Sequence, residues 1–595
     1  MCGITGCVGA ESAVEYLLAG LSNLEYRGYD SAGLAVVDDD GLTVRKRAGG
    51  VDRLEEVTEG RRPDGGLGIG HTRWSTHGPP TDANAHPHTD CFGRVAVVHN
   101  GIIENHDELR ERLVRRGHEF TSETDTEVVP HLVEDRLASG ESPGTAFRRA
   151  VAQLRGSYAI VALVRGTEAL FATREGSPLV VGVGEGAFYL ASDVPAFLEY
   201  TDDVVYLDDG DHLRVTPEGY RVTDAAGECV DREVRTVEWT PEDAEKDGFD
   251  HYMLKEIHEQ PTALARTVRG RVDAPPDVDD RVVDAVAAGR PVHLVGCGTS
   301  YHAAVYAEHL LRRRGVTARA TLASEFASGP PPLDDRTLVV GVTQSGETAD
   351  TLAALRHADD VGARTLACTN VVGSTAAREC EDALFIRAGP EIGVAATKTF
   401  SSQVLTLALL AEHVTDGPVP GPLASAIAGV PDGVESVVDG SRAGSVARRY
   451  SDAESYFFVG RGVAHPVALE GALKLKEISY EHAEGFPAGE LKHGPLALVT
   501  PKTPVFAVVT GRHAERMRGT VEEVQARGAP VVAVTDGTAG VAREADAVLE
   551  IPDTNPDVAG VLANVQLQLV AYHTARLLDR PVDKPRNLAK SVTVE

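Results

Sequence analysis

The sequence predicts a multidomain protein of mixed α/β and α+β class, whose second half holds two tandem doubly wound parallel-sheet domains. Three observations support this prediction. The 595 residues exceed what a single hydrophobic core normally holds. Residues 1 to about 240 alternate short β-like runs with a few amphipathic stretches. The remainder contains an internal repeat whose copies begin at Val292 and Tyr456.

The first domain, residues 1–240, shows its clearest strand-like runs at Leu34–Val37, Val95–Val98 and Tyr158–Val164. The sequence pattern changes after residue 240. A polar connector begins at Thr240-Pro241, and Pro275-Pro276 follows a helix-like segment. We therefore expect a linker over residues 241–280.

The repeat consists of apolar strands alternating with helical stretches, the pattern of a parallel sheet covered on both faces. Three strand-like segments recur in the same order: Val292–Gly298 and Tyr456–Gly462, Thr337–Thr343 and Val505–Thr510, and Thr365–Asn370 and Val531–Asp536. The predicted domains span residues 281–425 and 447–580, and residues 581–595 form a polar tail.

Composition excludes several classes of function. A net charge of −31 would repel the phosphates of a nucleic acid. Ten of the 58 basic residues are lysine, which with the strong acidity suggests a halophilic-type surface adapted to a salt-rich cytoplasm. No apolar run approaches the length of a membrane span and no signal peptide opens the chain, so we expect a cytoplasmic protein without a membrane partner. Seven scattered cysteines without a CxxC pair predict neither a disulfide framework nor a structural zinc site.

Cys2 becomes the N-terminal residue if Met1 is removed. It then carries a thiol nucleophile and a free α-amine, whose pKa of roughly 8 lets it serve as the thiol's own general base. Taken alone, an early cysteine is more often a small buried residue.

Four polar clusters occur in the same domain, and each by itself could be a hydrogen-bonded turn. They are Arg27–Ser31, His71–Gly78, His99–Gly101 and Thr124–Glu127. Together with Cys2-Gly3-Ile4 they closely resemble the glutaminase domain of N-terminal-nucleophile amidotransferases. The resemblance covers about 220 residues and implies a sandwich fold for the first domain.

The residue types fit glutamine chemistry. Arg73 offers a planar fork for the α-carboxylate, and Asp125 offers an anion for the α-ammonium group. Thr76 and His77 follow Arg73 closely enough to line the same pocket. The side-chain amide of Asn100 and the backbone N–H of Gly101 would form the oxyanion hole. The resemblance implies Trp74 as a gate for ammonia, with core packing as the alternative.

The four histidines of this domain suggest a metal site at first sight: His71, His86, His88 and His99. Their spacings match no zinc pattern, and no carboxylate joins them at helical spacing. We expect no metal there.

The second half contains two hydroxyl-rich turns, Gly296–Tyr301 and Thr343–Thr348, each between a strand and a helix. The first turn lacks the third glycine of a dinucleotide-binding loop, so nicotinamide binding is not expected. Free N–H groups at a helix start favour a phosphate, although a simple helix cap is the alternative at either turn.

With the segment Glu391–Lys398, these turns resemble a sugar-phosphate isomerase domain. The residues that the resemblance assigns to the sugar phosphate are Thr299, Ser300, Thr343, Gln344, Ser345, Thr348 and Val394. The second copy has Thr510–His513 where the phosphate turn should be, so we expect no phosphate there.

Lys474 and Glu477 lie three apart on a predicted helix, a spacing usual for surface ion pairs. Five of the ten lysines nevertheless fall in the motifs of this half, which favours a functional role. These lysines are Lys398, Lys474, Lys476, Lys492 and Lys590.

End to end, the chain resembles the glutamine–fructose-6-phosphate aminotransferase (isomerizing) family. The resemblance implies Glu477 as the base between C1 and C2 with Lys474 beside it, His493 in ring opening, and Lys590 at the sugar carbonyl. It also implies L-glutamine and D-fructose 6-phosphate as substrates, no cofactor, and at least a homodimer. Thr343 and Ala396 stand where serine is usual in the family; Thr343 keeps the hydroxyl, and Ala396 lacks it.

Two other interpretations remain open at this point. Amidophosphoribosyltransferases and asparagine synthetases share the glutaminase half, but neither fits a tandem repeat with Thr343–Thr348 and a terminal Lys590. A sugar-phosphate sensor with an inert glutaminase half is the non-enzymatic alternative. Cys2, Asn100, Lys474 and Glu477, all intact, argue against it.

Overall fold

The computed structural model describes residues 2–38, 41–60, 62–237, 239, 246–272, 278–416, 421–537 and 539–592. The chain forms two compact units, Met1–Ala244 with Ala589–Glu595, and Glu245–Leu588. None of the helices in the described ranges combines the length and the apolar character that crossing a bilayer requires.

Unit 1 contains two antiparallel sheets with strand orders β14-β11-β9-β10-β1-β4-β2-β3 and β13-β12-β8-β7-β6-β5. The strands are β1 (Gly3–Val8), β2 (Ser31–Asp38), β3 (Gly41–Ala48), β4 (Leu67–Arg73), β5 (His88–Thr89), β6 (Val95–Ile103), β7 (Gly156–Val164), β8 (Leu170–Glu175), β9 (Val180–Val183), β10 (Phe188–Ala191), β11 (Asp203–Tyr206), β12 (His212–Thr216), β13 (Gly219–Thr223) and β14 (Val234–Thr236).

The two sheets pack face to face and helices cover their outer faces. Ile4 and Ile69 of the larger sheet share a core with Val98 and Val161 of the smaller one. Successive side chains of a strand point to opposite faces, so Val97, next to Val98, packs instead against the helices of the other side. These helices are α3 (His106–Arg115), α4 (Val128–Ala138) and α5 (Pro143–Val151), whereas α1 (Ala13–Asn23) and α2 (Val51–Glu59) cover the larger sheet.

Unit 2 contains two five-stranded parallel sheets of identical topology, β16-β15-β17-β18-β19 and β21-β20-β22-β23-β24. Their strands are β15 (Val292–Gly296), β16 (Ala318–Leu322), β17 (Leu338–Val342), β18 (Arg364–Thr369), β19 (Asp382–Phe385), β20 (Tyr456–Gly460), β21 (Ala483–Pro487), β22 (Val505–Val509), β23 (Val531–Thr535) and β24 (Ala547–Glu550).

Helices cover both faces of each of these sheets. One core contains Leu294 of the first sheet, Phe458 of the second, and buried residues of the helices around them. The opposite faces have smaller cores of their own. The helices are α6 (Tyr252–His258), α7 (Gln260–Val268), α8 (Asp280–Ala287), α9 (Gly298–Arg313), α10 (Ala323–Ser328), α11 (Ala349–Asp360), α12 (Thr375–Glu379), α13 (Lys398–Asp416), α14 (Gly421–Ala428), α15 (Val430–Gly440), α16 (Ala443–Arg449), α17 (Ala464–Ser479), α18 (Ala514–Gln525) and α19 (Ala559–Leu577).

The predicted fold class is confirmed, since a strand-rich sandwich precedes two tandem parallel-sheet domains. Within the predicted linker, residues 241–245 and 273–277 lie outside the described residues, and α6 and α7 place Met253 and Leu264 in the core of unit 2. In the predicted tail, residues 593–595 also lie outside the described residues, and Ala589–Glu595 groups with unit 1.

Candidate active sites

The Cys2 thiol lies against the end of the neighbouring strand. β1 and β4 pair with Gly3 opposite Thr72, so the residue before β1 meets the residues that follow Thr72. The backbone N–H of Trp74 donates to Cys2 Sγ at 3.2 Å, and Sγ lies 3.5 Å from the Trp74 carbonyl oxygen. Sheet register therefore fixes the position of the candidate nucleophile.

Asn100 and Gly101 lie near the end of β6, beside Cys2. Asn100 Nδ2 donates to the Cys2 carbonyl oxygen at 2.9 Å. Gly101 has φ +116, and an added Cβ would come within 1.9 Å of the Ser157 carbonyl oxygen. Only glycine fits here without strain, so the position of this backbone N–H requires a glycine.

Burial raises the pKa of the Cys2 thiol, and the Trp74 backbone and Arg73 lower it by less. The thiol therefore stays protonated near neutral pH, and attack on an amide requires a general base. Met1, whose removal would free the α-amine of Cys2, lies outside the described residues.

Arg73 and Asp125, the residues expected to bind glutamine, are both buried in unit 1. The Arg73 guanidinium donates to the backbone carbonyls of His77 and Gly78, the latter at 3.2 Å. Asp125 Oδ2 accepts the backbone N–H of Ile103 at 2.8 Å, so β6 holds this carboxylate. Thr76 is exposed and His77 half-buried, with 3.4 Å between Thr76 Oγ1 and His77 Nδ1.

The four histidines His71, His86, His88 and His99 are all buried in unit 1, and two of them contact the threonines on either side of Asp125. His99 Nδ1 lies 2.8 Å from Thr126 Oγ1, and His88 Nε2 lies 3.0 Å from Thr124 Oγ1. Burial lowers the pKa of all four, in the case of His71 to about 3, so they are neutral near pH 7. The neutral rings of His88 and His99 thus hold the two threonines on either side of Asp125.

A cavity of about 110 Å³ opens beside the thiol in unit 1. Its lining consists of Cys2, Trp74, Thr76, Asn100, Gly101, Ser177, Pro178, Ala589, Ser591 and Val592. Trp74 also packs edge-on against Tyr29, with 5.6 Å between ring centres. The sequence did not indicate Ser177 and Pro178, which lie in a turn without a recognisable motif.

In unit 2, the hydroxyl-rich turns follow β15 and β17, two adjacent parallel strands. In the first sheet, β16 lies on one side of β15 and β17 on the other, so the strand order reverses at β15; the second sheet has the same reversal at β20. Parallel sheets bind ligands at the carboxyl ends of the strands where the order reverses. Thr299 and Ser300 lie in the first turn of α9, and Thr348 precedes the first residue of α11.

The second of these turns is held by its own side chains. Thr343 Oγ1 lies 3.1 Å from Thr348 Oγ1 and accepts the Gly346 N–H at 3.2 Å. Ser345 Oγ accepts the Glu347 N–H at 3.1 Å, and the Gln344 carbonyl accepts the Asn370 N–H at 3.1 Å. In the first turn, Ser300 Oγ accepts a hydrogen bond of 2.9 Å from Gln403.

Lys474 is buried among two carboxylates and a hydroxyl. Its Nζ lies 2.6 Å from Glu477, 3.4 Å from Glu470 and 3.1 Å from Thr299 Oγ1. Burial lowers the pKa of Lys474, but the two glutamates outweigh it and raise that pKa above its usual value. A surface ion pair is therefore excluded, since 1% of the Lys474 side chain is exposed.

Glu470 is the residue of this cluster that sequence reasoning missed. Its two oxygens accept Thr299 Oγ1 at 2.9 Å and lie 2.8 Å from His302 Nδ1. Burial raises the pKa of Glu470, but the interactions with Lys474 and His302 outweigh burial. The pKa of Glu470 is therefore below its usual value. Its i,i+4 spacing to Lys474 was the available signal.

The remaining predicted residues lie in different places. Val394 is buried and donates its backbone N–H to the Asp583 carbonyl at 3.3 Å. His493 lies exposed on the short turn Glu490–His493, and no hydrogen bond or ion pair found in the described ranges joins it to Lys474. Lys590 is half-buried in the segment that groups with unit 1.

Comparisons with known proteins cover both units. A glutamine amidotransferase domain model matches residues 71–199, and a SIS domain model matches residues 289–413 and 449–578. Proteins named glutamine–fructose-6-phosphate aminotransferase (isomerizing) are 51% identical in Halobacterium salinarum and 48% in Thermus thermophilus, each over 100% of both chains. The solved C-terminal domain of glucosamine-fructose-6-phosphate aminotransferase from Francisella tularensis is 35% identical, with a TM-score of 0.52, over 57% of this chain and 99% of that one.

Proposed function

Because the chain belongs to the glutamine–fructose-6-phosphate aminotransferase (isomerizing) family, we propose that its two sites carry out successive halves of one synthesis. The enzyme converts L-glutamine and D-fructose 6-phosphate to D-glucosamine 6-phosphate and L-glutamate, the first step of amino-sugar biosynthesis. Unit 1 releases ammonia from glutamine, and unit 2 adds it to the sugar. Full-length similarity to named synthases favours this function over that of a non-enzymatic sensor.

Cys2 attacks the side-chain amide carbon of glutamine after passing its proton to the α-amine freed by loss of Met1. The tetrahedral oxyanion accepts hydrogen bonds from the Gly101 N–H and from Asn100 Nδ2, whose second hydrogen remains available beyond the bond to Cys2. Collapse of this intermediate expels ammonia and leaves a thioester. Water then hydrolyses the thioester to glutamate and restores the thiol.

Glutamine is oriented by charge at its α-carbon. Arg73 binds the α-carboxylate, and its contacts with the backbone of His77 and Gly78 hold the guanidinium in a fixed plane. Asp125 binds the α-ammonium group from a position set by the Ile103 N–H. Thr76 and His77 line the same pocket, and Trp74 controls the exit of ammonia.

The phosphate of fructose 6-phosphate binds at the carboxyl ends of β15 and β17. Helix N-termini and hydroxyl donors together favour a dianion. The ligating groups belong to Thr299, Ser300, Thr343, Gln344, Ser345, Thr348 and Val394. Thr299 also contacts Lys474 and Glu470, which supports a sugar bound between the phosphate turns and α17.

Chemistry at the sugar follows from this placement. His493 assists ring opening, and Lys590 forms a Schiff base with the C2 carbonyl, releasing water. Ammonia displaces the lysine to give the C2 imine. Glu477 then removes the C1 proton and returns a proton to C2, and Lys474 stays charged beside it.

The observation that carries the proposal is the pair of sites in one chain. In one site Asn100 donates a hydrogen bond to Cys2, and in the other the buried Lys474 lies beside Glu477. The test incubates the purified protein with glutamine and fructose 6-phosphate and quantifies glutamate and glucosamine 6-phosphate. We expect the two products in equal amounts, and a Cys2→Ala variant should form neither from glutamine. Glutamate without glucosamine 6-phosphate would contradict the synthase function.

We further propose that the enzyme acts in the cytoplasm as a homodimer or larger homo-oligomer. The exposed position of His493, on its own turn, fits a role in the site of a neighbouring subunit. Light scattering on the purified protein measures the mass. A monomer that makes glucosamine 6-phosphate would contradict this assembly.

A further inference from the structure

A second cluster of reactive side chains lies in unit 1, distinct from the residues of the Cys2 site. Cys91 follows β5, His118 follows α3, and His131 and Glu134 lie three apart on one face of α4. One ligand atom from each lies within 4.8 Å of all the others. We propose that these four residues form a structural zinc site, the "Cys91 cluster".

Four of the six separations between the ligand atoms are close to those around a tetrahedral metal, and the other two are within 4.8 Å. Cys91 Sγ lies 3.7 Å from His118 Nδ1 and 3.6 Å from His131 Nδ1. Glu134 Oε2 lies 3.0 Å and 3.3 Å from the same two nitrogens. Tetrahedral zinc with ordinary bond lengths places sulfur and nitrogen about 3.5 Å apart, and nitrogen and oxygen about 3.3 Å apart. A single zinc ion therefore fits between these four atoms.

The outer nitrogen of His118 supports the same assignment. His118 Nε2 lies 2.9 Å from Asp135 Oδ1, so the ring donates its Nε2 hydrogen to that carboxylate. This tautomer leaves the Nδ1 lone pair directed toward Cys91 and Glu134. Metal-binding histidines are commonly oriented by a carboxylate in this way. The second ring has no such hydrogen bond among the described residues, since Glu127 Oε1 lies 4.0 Å from His131 Nε2.

In a metal-free arrangement, the two ring nitrogens of His118 face two carboxylates, Glu134 and Asp135. Glu134 Oε2 would then accept three donors, the two imidazole nitrogens and the Cys91 N–H at 3.3 Å. Three donors on one carboxylate oxygen are crowded, and this arrangement assigns no role to the Cys91 thiol. Zinc instead replaces the Cys91 thiol proton, which is released to solvent, and no change of oxidation state is involved.

The donor set determines the metal and its role. One thiolate, two imidazoles and one carboxylate in a tetrahedron suit zinc, and four protein ligands leave no position for a substrate. The metal would link α4 to two other segments, the turn before β6 and the segment that follows α3. Since α4 begins at Val128, the metal would hold the segment that carries Asp125.

Sequence spacing does not reveal this site because the ligands are spread over residues 91–134 and no CxxC pair occurs. The prediction of no structural zinc rested on the seven scattered cysteines and the absence of a CxxC pair. Only the His131–Glu134 spacing on a helix was a local signal.

The test purifies the full chain with zinc in the medium and measures metal per chain by mass spectrometry after removal of free ions. We expect one zinc per chain, reduced at least tenfold in Cys91→Ser and in Glu134→Gln. The matched control, Cys229→Ser, removes another exposed thiol of unit 1 and should retain the zinc. Less than a tenth of an equivalent in the wild-type chain, or equal zinc in all variants, would overturn the proposal.

Cobalt replacement tests the ligands without any variant. Apo-protein loaded with Co²⁺ should show a thiolate-to-cobalt charge-transfer band and the intense visible bands of tetrahedral cobalt. Removing zinc with a chelator should lower the Tm of the wild-type chain and of Cys229→Ser, but not that of Cys91→Ser. A cobalt spectrum without the thiolate band would overturn the assignment of Cys91 as a ligand.

Discussion

Asn100 Nδ2 donates a hydrogen bond of 2.9 Å to the carbonyl oxygen of Cys2, the candidate nucleophile. The other end of the same amide, Oδ1, lies 3.1 Å from His71 Nε2, which also lies 2.9 Å from the His99 carbonyl. Because a carbonyl only accepts, His71 Nε2 carries the hydrogen and Asn100 Oδ1 accepts from it. The amide is therefore oriented with its N–H groups toward the nucleophile.

Replacing Asn100 with alanine tests this orientation. Loss of one oxyanion donor typically lowers kcat by about 10²–10³-fold. We expect that loss in glutaminase kcat with little change in the KM for glutamine, since Asn100 is not proposed to bind the ground-state charges. Steady-state release of glutamate measures both constants. An increase in KM at unchanged kcat would assign Asn100 to substrate binding instead.

Gly101→Ala should damage both the fold and the hydrolysis of glutamine. The backbone at φ +116 and the Ser157 carbonyl 1.9 Å from an added Cβ leave no room for a side chain. We expect a loss of more than about 3 kcal/mol in the free energy of unfolding. Gly166→Ala is the matched control, because Gly166 has φ +83 with nothing within 4 Å, and should cost about 1–2 kcal/mol. Equal urea midpoints for the two variants would refute the steric argument.

The buried histidines predict a loss of stability in acid. Burial lowers the pKa of His71 from 6.5 to about 3 in the folded chain, so below pH 6.5 the unfolded chain binds a proton that the folded chain excludes. The free energy of unfolding therefore falls as pH decreases from 6.5 toward 3, by up to about 1.4 kcal/mol per pH unit from this residue.

Urea unfolding at several pH values measures the effect. His71→Gln, whose amide can still donate to the His99 carbonyl, should reduce the slope of the free energy of unfolding against pH by the amount that corresponds to about one bound proton. His482→Gln, at a ring that is 59% exposed, is the control. An unchanged slope in His71→Gln would show that His71 is not the group responsible.

Glu477→Gln should separate the two halves of the reaction. General base catalysis typically contributes about 10²–10⁴-fold. We expect formation of glucosamine 6-phosphate to fall by that factor while glutamine hydrolysis persists, since Glu477 lies in unit 2 and Cys2 in unit 1. Glu515→Gln makes the same chemical change at an exposed position of α18 in unit 2 and should leave both activities intact. Retained synthesis in Glu477→Gln would remove Glu477 from its proposed role.

The duplicated sheets allow a matched test of the phosphate turn. Thr343 and Thr510 follow β17 and β22, which correspond in the two copies. Thr343→Val removes a hydroxyl that accepts the Gly346 N–H, and a bond to a charged ligand is typically worth about 1.5–3 kcal/mol. We expect the KM for fructose 6-phosphate to rise about 10–100-fold. Thr510→Val should not change it, and equal effects would place phosphate in both copies.

The fold could be predicted because hydrophobic patterning is local, and the repeat beginning at Val292 and Tyr456 shows its domains directly. Motifs likewise mark single segments such as Asn100-Gly101. Partners from distant segments could not be predicted, because packing alone unites them. Glu470 meets Thr299 across 171 positions, and the Cys91 cluster joins two loops and a helix.

Strand β6 holds both ends of the proposed glutamine site. Asn100 and Gly101 are the proposed contacts of the reacting amide. Three residues further along the strand, the Ile103 N–H donates to Asp125, the proposed partner of the α-ammonium group. An extended strand advances about 3.3 Å per residue and does not shorten. The spacing between the two groups is therefore held by the extended strand and by one hydrogen bond. On this assignment we expect asparagine, one methylene shorter than glutamine, to be a poor substrate, because it cannot contact both groups at once.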